Sequence, residues 1–209
     1  MRTNILTSDA QAQLTPDTVL SNLKSGNSNY TAANLTAVDI NDLRAASVYG
    51  QAPKAIVLSC IDSRVVVEEV FDQALGDIFV ARVAGNFVNT DIVASMEYAC
   101  KVAGSKLIVV LGHEGCGAVK AACDGVELGN ITSLLSNIQP SVDAVKPTVE
   151  APYNSTNIAF VNAAIAENVN HTIGEIKSMS PILAEMEAAG EIAIKGGVYQ
   201  LASGAVAWL

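Results

Sequence analysis

Short, nearly continuous apolar runs divide the chain into segments of helical spacing. Ala55-Ile56-Val57-Leu58, Ile78-Phe79-Val80-Ala81-Arg82-Val83 and Leu107-Ile108-Val109-Val110-Leu111 have the form of strands buried on both faces. They predict strands at about 55–60, 78–83 and 106–111. Glu191 to Ile194 and Val198 to Leu201 read as further strand segments around Gly196-Gly197. Thr15-Pro16-Asp17 opens a helix with Pro at its first position, and Gly26-Asn27 is expected to end it. Residues 31–49 carry a second helical pattern, with Leu35, Val38, Leu43 and Val48. Residues 65–73 fit strand or helix. A short helix is preferred, because Gly76-Asp77 soon breaks the chain and a strand follows. Thr90-Asp91 caps a helix reaching about Val102, and further helices are expected at 116–124, 130–146, 157–178 and 181–189. Residues 1–15 look polar and loosely structured.

Alternating strands and helices predict an α/β fold with a mostly parallel central sheet covered by helices. No repeat, low-complexity tract or linker interrupts residues 1–209, so a single domain is expected. The N-terminal helices precede the first strand and have no sheet of their own. They are expected to pack on the core or on a partner subunit.

Composition narrows the functional classes. Half of the 209 residues are apolar and mean hydropathy is +0.34, which suits a well-buried domain or an oligomer with covered surface. Net charge is −9, so nucleic acid is an unsuitable partner. No apolar run reaches the length of a membrane span, and the N-terminal stretch has no apolar signal region. A cytoplasmic protein is the expectation, or a periplasmic one if a signal has been trimmed. The four cysteines, Cys60, Cys100, Cys116 and Cys123, fit metal ligation in a reducing compartment better than disulfides.

Cys60 follows the first strand, and His113 and Cys116 follow the third. The carboxyl edge of an open α/β sheet is where ligands bind. Two Cys and one His form a three-ligand zinc set that leaves one position for water or substrate. Cys116 is expected to open a helix, where backbone N–H groups and the helix dipole stabilise a thiolate. Cys123 lies seven residues further on, about 10 Å along a helix, and cannot share that ion. Cys100 reads as a small core residue, and His171 as a surface or structural one. Asp62 and Arg64 stand close to Cys60, and Asp62 can either swing onto the metal or pair with Arg64. The carboxylate can orient an attacking water, and the guanidinium can keep it ionised through a bidentate contact.

Two rival readings of the glycines fail. Gly112-His-Glu-Gly115-Cys-Gly117 runs in the reverse of the dinucleotide-binding order. A phosphate loop would need Lys and Ser or Thr where Ala118 and Val119 stand.

The chain resembles the β-class carbonic anhydrases. The paired signatures stand as Cys60-Ile61-Asp62-Ser63-Arg64 and His113-Glu114-Gly115-Cys116. Similar segments include Phe71-Asp72-Gln73, Gly76-Asp77-Ile78-Phe79-Val80, Ala84-Gly85-Asn86, Met96-Glu97-Tyr98-Ala99, Asn168-Val169 and Gly196-Gly197-Val198-Tyr199. The resemblance implies a four-stranded parallel core with an added fifth strand, and a homodimer or a tetramer built from dimers. It implies Zn²⁺ on Cys60, His113 and Cys116, with an Asp62–Arg64 dyad. Gln51 matches a glutamine that binds substrate across the dimer interface, and Phe79 and Tyr98 match the lining of the carbon dioxide pocket. The implied activity is reversible hydration of carbon dioxide to bicarbonate and a proton.

Some positions depart from the family pattern. Ala84 replaces a lining valine, so a roomier pocket is expected. Ile61 stands where serine is usual, and Val66-Val67-Glu68 alters the segment after Arg64. Val57 replaces the tryptophan of members inhibited by non-catalytic bicarbonate, which argues against that regulation. Hydrolysis of carbonyl sulfide or carbon disulfide is the alternative enzymatic reading. A non-catalytic zinc-binding oligomer is the alternative from another class.

Overall fold

The computed structural model describes residues 1–209. Its sheet is built around three parallel strands, β1 (Ala55–Ser59), β2 (Ile78–Arg82) and β3 (Leu107–His113). Two more follow near the C-terminus, β4 (Ala193–Tyr199) and β5 (Val206–Trp208). The order is β2-β1-β3-β4-β5, with β5 alone antiparallel. The mostly parallel core and its added strand agree with the sequence-based expectation.

Burial on both faces explains the apolar runs. Ile56 and Leu58 of β1 join Ile108 and Val110 of β3 in one core cluster. Ala55 and Val57 join Leu107, Val109 and Leu111 in another on the opposite face. The first face is covered by α5 (Thr90–Glu97), α9 (Ile158–Met179) and α10 (Pro181–Ala188). The second is covered by α2 (Pro16–Thr31) and α4 (Val67–Val70), through Val19, Leu23 and Val70. A third cluster packs α6 (Gly117–Cys123), α7 (Gly129–Ser136) and α8 (Gln139–Val145) against α9 and around Cys60 and Cys116.

Two glycine signals have another cause than the sequence reading gave them. α2 does not stop at Gly26-Asn27 but runs to Thr31. A Cβ on Gly26 would lie 1.8 Å from the Phe71 carbonyl oxygen, so glycine permits backbone contact between α2 and the end of α4. Asn27 is buried there and donates to Val70 O and Gly204 O. Likewise β4 passes unbroken through Gly196-Gly197. Added Cβ atoms would meet Val169 Cγ1 at 2.6 Å and Val206 Cγ1 at 2.7 Å, so these glycines admit α9 and β5.

Smaller differences concern ends and joints. Asn89, rather than Thr90, caps α5 by accepting from Ile92 N, and its helix closes in a π-helical turn, Tyr98–Val102. The 130–146 pattern divides into α7 and α8. The N-terminal stretch forms α1 (Ser8–Ala12) and is anchored: Arg2 pairs with Asp77, and buried Gln11 donates to Pro53 O and Ala103 O. α2 packs on this chain's own core. α3 (Ile40–Ser47) buries Leu43 but exposes Ile40, and Val48 and Tyr49 beyond it are exposed as well. No helix is long and apolar enough to cross a membrane.

Candidate active site

Cys60 leaves the carboxyl end of β1, and His113 ends the adjacent strand β3. Cys116 is the N-cap residue of α6. Parallel pairing in register, with Ser59 opposite Leu111, brings the two strand ends together. The ligand atoms of Cys60, His113 and Cys116 all lie within 4.8 Å of one another. All three residues are buried.

The spacing of the donor set fits a tetrahedral metal. Cys60 Sγ and Cys116 Sγ are 4.0 Å apart. Tetrahedral zinc with Zn–S bonds of about 2.3 Å has an S–S edge of about 3.8 Å. His113 Nδ1 lies 2.9 Å from the Glu114 carbonyl oxygen, which assigns the ring proton to Nδ1. Nε2 is left with its lone pair, buried and without a hydrogen-bond partner. An orphaned imidazole nitrogen facing two thiols suits Zn²⁺.

Electrostatics favour the same ion. The Cys60 thiol is pulled down, first by a hydrogen bond from the Cys116 thiol, against burial, with help from Gly85 N–H. Cys116 is pushed upward, first as the donor to Cys60 and then by burial. The two thiols thus share a proton in their hydrogen bond, and a divalent cation would displace it. The other thiols are protonated core groups: burial pushes Cys100 up to about 12 and Cys123 up to about 11.

Asp62 is beside this set. Its Oδ2 is 3.8 Å from His113 Nε2. Arg64 donates from Nε to Oδ1 at 2.9 Å and from Nη2 to Oδ2 at 2.7 Å, and the Arg64 backbone N–H also donates to Oδ1. This fork holds the Asp62 carboxyl well below the usual carboxylate range. Asp62 is thus fastened by Arg64, with one oxygen near His113 Nε2.

The carbonic anhydrase family model matches residues 55–206, which include every residue of this cluster. The chain belongs to the β-carbonic anhydrase family. It is 38% identical over 185 residues to a carbonic anhydrase of Mycolicibacterium smegmatis, a match that covers 88% of each chain. Carbonic anhydrase 2 of Mycobacterium tuberculosis is 36% identical over 183 residues, 87% of each chain. The fold resembles the β-carbonic anhydrase CcaA, with a TM-score of 0.71 and 23% identity over 92% of this chain and 93% of that one. It also resembles one of two tetrameric β-carbonic anhydrases from Sordaria macrospora, with a TM-score of 0.73 and 24% identity over 92% and 97%.

The other residues singled out by the family resemblance lie apart from the ligand cluster. Gln51 is exposed before the amino end of β1, in a hollow with Ser47, Val48 and Leu75. Five residues of strand, about 16 Å, separate that end from Cys60. Phe79 and Tyr98 meet edge to face at 6.3 Å on the open side of β2. With Ile56, Val80, Ala81 and Ile92 they line an apolar groove of about 560 Å³. His171 is part-buried on α9 beside Phe87 and Glu175, outside the ligand group.

Sequence reasoning missed Arg82. It stands opposite Ser59 in the β1–β2 register. Its Nε donates to Cys60 O at 2.9 Å and its Nη2 to Asp62 O at 2.6 Å. Arg82 therefore fixes the backbone that carries both a candidate ligand and the carboxylate. The signal was one charged residue at the carboxyl end of an apolar strand.

Proposed function

We propose that this protein catalyses the reversible hydration of carbon dioxide to bicarbonate and a proton, with Zn²⁺ held by Cys60, His113 and Cys116. The observation that carries this reading is the unpartnered His113 Nε2, which shares a buried corner with two thiols and stands beside an Arg-fastened carboxylate. When bound, the zinc ion supplies the Lewis acidity that makes water a nucleophile near neutral pH. Asp62 would accept a hydrogen bond from the attacking water and orient it towards the carbon of carbon dioxide. Arg64 keeps Asp62 ionised and turned to that task. Phe79 and Tyr98, apart from the cluster of their own chain, offer carbon dioxide an apolar surface at the site of a neighbouring chain, consistent with the low polarity of the substrate.

Gln51 serves the site of a neighbouring chain in this reading. Its place at the opposite end of β1 supports that assignment, because β1 keeps it from the cluster of its own chain. The exposed Tyr49, Val48 and Ile40, together with the open edge strand β2, support assembly into a homodimer or a tetramer of dimers. The tetrameric relative from Sordaria macrospora supports it as well.

The test combines metal analysis with stopped-flow hydration of carbon dioxide. About one Zn²⁺ per chain and rapid hydration are expected. Asp62→Asn should keep the zinc and lower the rate constant by about 100-fold or more. Zinc-loaded protein without hydration activity would refute the proposal.

A further inference from the structure

Cys60 receives a backbone hydrogen bond from a segment distant in sequence. Gly85 N–H donates to Cys60 Sγ at 3.4 Å. Gly85 adopts φ +82°, and a Cβ there would lie 2.4 Å from Ile138 Cδ1. The peptide is therefore wedged into a space that only glycine fits. Its carbonyl is also taken: Asn168 Nδ2 donates to Gly85 O at 2.8 Å. Asn168 is 1% exposed, and its Oδ1 has no partner, so this is the one protein hydrogen bond of its side chain.

Asn168 sits on a firm support. The next residue, Val169, packs where Cβ atoms on Gly112 and Gly196 would come within 2.8 Å and 2.6 Å of it. Gly112 directly precedes His113. The same turn of α9 thus abuts the strand that bears one ligand and grips the carbonyl of the residue whose N–H bonds another. An apolar side chain at this point would leave Gly85 O buried without its donor, so the amide holds this carbonyl in place.

We propose that Asn168 is a positioning residue for the metal centre: by holding Gly85 O it keeps Gly85 N–H on the Cys60 sulfur, and so sets the electron donation of that sulfur and the retention of zinc. An N–H donor aimed at a thiolate ligand withdraws negative charge and fixes the sulfur's direction, as outer partners of metal ligands do. Loss of the clamp frees Gly85 to turn about its own dihedrals, and its N–H moves off Cys60 although no ligand has changed.

The inference rests on Cys60 being a zinc ligand. Wild-type protein that binds no zinc would sink that reading itself. If the wild type binds zinc, the following comparison tests Asn168 alone. Zinc affinity is measured by chelator competition on folded Asn168→Ala and on Asn168→Asp, which keeps the shape but replaces the donor. Both should bind zinc about 10- to 100-fold more weakly. In the cobalt-substituted proteins, the sulfur-to-metal charge-transfer band should shift from its wild-type position. Thr172→Val removes a longer contact, 3.4 Å to Asn86 O, one turn along the same helix. That variant should stay within about threefold of wild-type affinity. Wild-type affinity and an unshifted cobalt band in both Asn168 variants would overturn the proposal. Should neither variant fold, the unmutated protein decides. With NMR-active cadmium in place of zinc, the Gly85 amide proton should show coupling to the metal through the Cys60 sulfur, and its absence would overturn the proposal.

Discussion

Replacing Gly26 by Ala separates local from tertiary reasoning by the sign of its effect. Gly26 lies inside α2, where helix propensity alone favours Ala by about 1 kcal/mol. In the folded protein its Cβ would stand 1.8 Å from the Phe71 carbonyl oxygen. Ordinary contact begins near 3.4 Å, so helix and carbonyl must part by about 1.6 Å. Three buried hydrogen bonds fix the next residue of the helix. One crosses this junction, Asn27 Nδ2 to Val70 O at 3.0 Å. Two reach the β4–β5 end of the sheet, Asn27 Nδ2 to Gly204 O at 2.8 Å and Val206 N to Asn27 Oδ1 at 2.9 Å, and displacement of α2 breaks all three. Their loss removes about 3 kcal/mol at about 1 kcal/mol each. Overpacking strain adds about 1–3 kcal/mol. With the propensity gain subtracted, Gly26→Ala should destabilise the protein by about 3–5 kcal/mol. Urea unfolding at matched protein and zinc concentrations measures the difference. A variant as stable as the wild type, or more stable, would show that the close approach of α2 to Phe71 is not a constraint.

Cys116→Ser should lose bound zinc, whereas Cys123→Ser should keep about one ion per chain; equal loss in both, measured by metal analysis, would show that the wrong thiols were assigned. Gln51→Ala and Cys116→Ser should each be nearly inactive alone, but subunits mixed and reassembled should recover about a quarter of wild-type hydration activity, because about half of the random dimers are hybrids with one complete site. No recovery in verified hybrids would refute the cross-subunit role of Gln51. Asp72 has a lowered pKa: burial opposes its charge, but hydrogen bonds from Asn29 and Thr36 outweigh that. Its folded pKa is below its unfolded one, so its contribution is complete above the unfolded value and is lost as pH falls through the folded value. Acid unfolding curves should therefore show a smaller loss of stability for Asp72→Asn than for wild type below about pH 4.

Much of this protein is legible in one dimension. Strands buried on both faces must be apolar at every position, which is why β1 and β3 stand out in the sequence. His113 and Cys116 are three residues apart, and a strand-to-helix junction suffices to bring them to one ion. Asp62 and Arg64 are two apart, and their fork closes within a single loop. Cys60 is the first long-range member, yet it too could be anticipated, since adjacent parallel strands end side by side.

Pairing across the fold decided the rest. A glycine reads the same whether it ends a helix or admits a neighbour, so Gly26 and Gly196 were assigned to breaks where the fold uses them for contact. β5 has three residues and owes its place to hydrogen bonds with β4, too short a stretch to show a period. Arg82 gains its meaning from standing opposite Ser59, and Asn168 from facing a glycine carbonyl 83 residues away. Local spacing determines which side chains can share a turn. Only the packed structure sets which turn meets which, because that is decided by strand register and by the few backbone positions where two elements can touch.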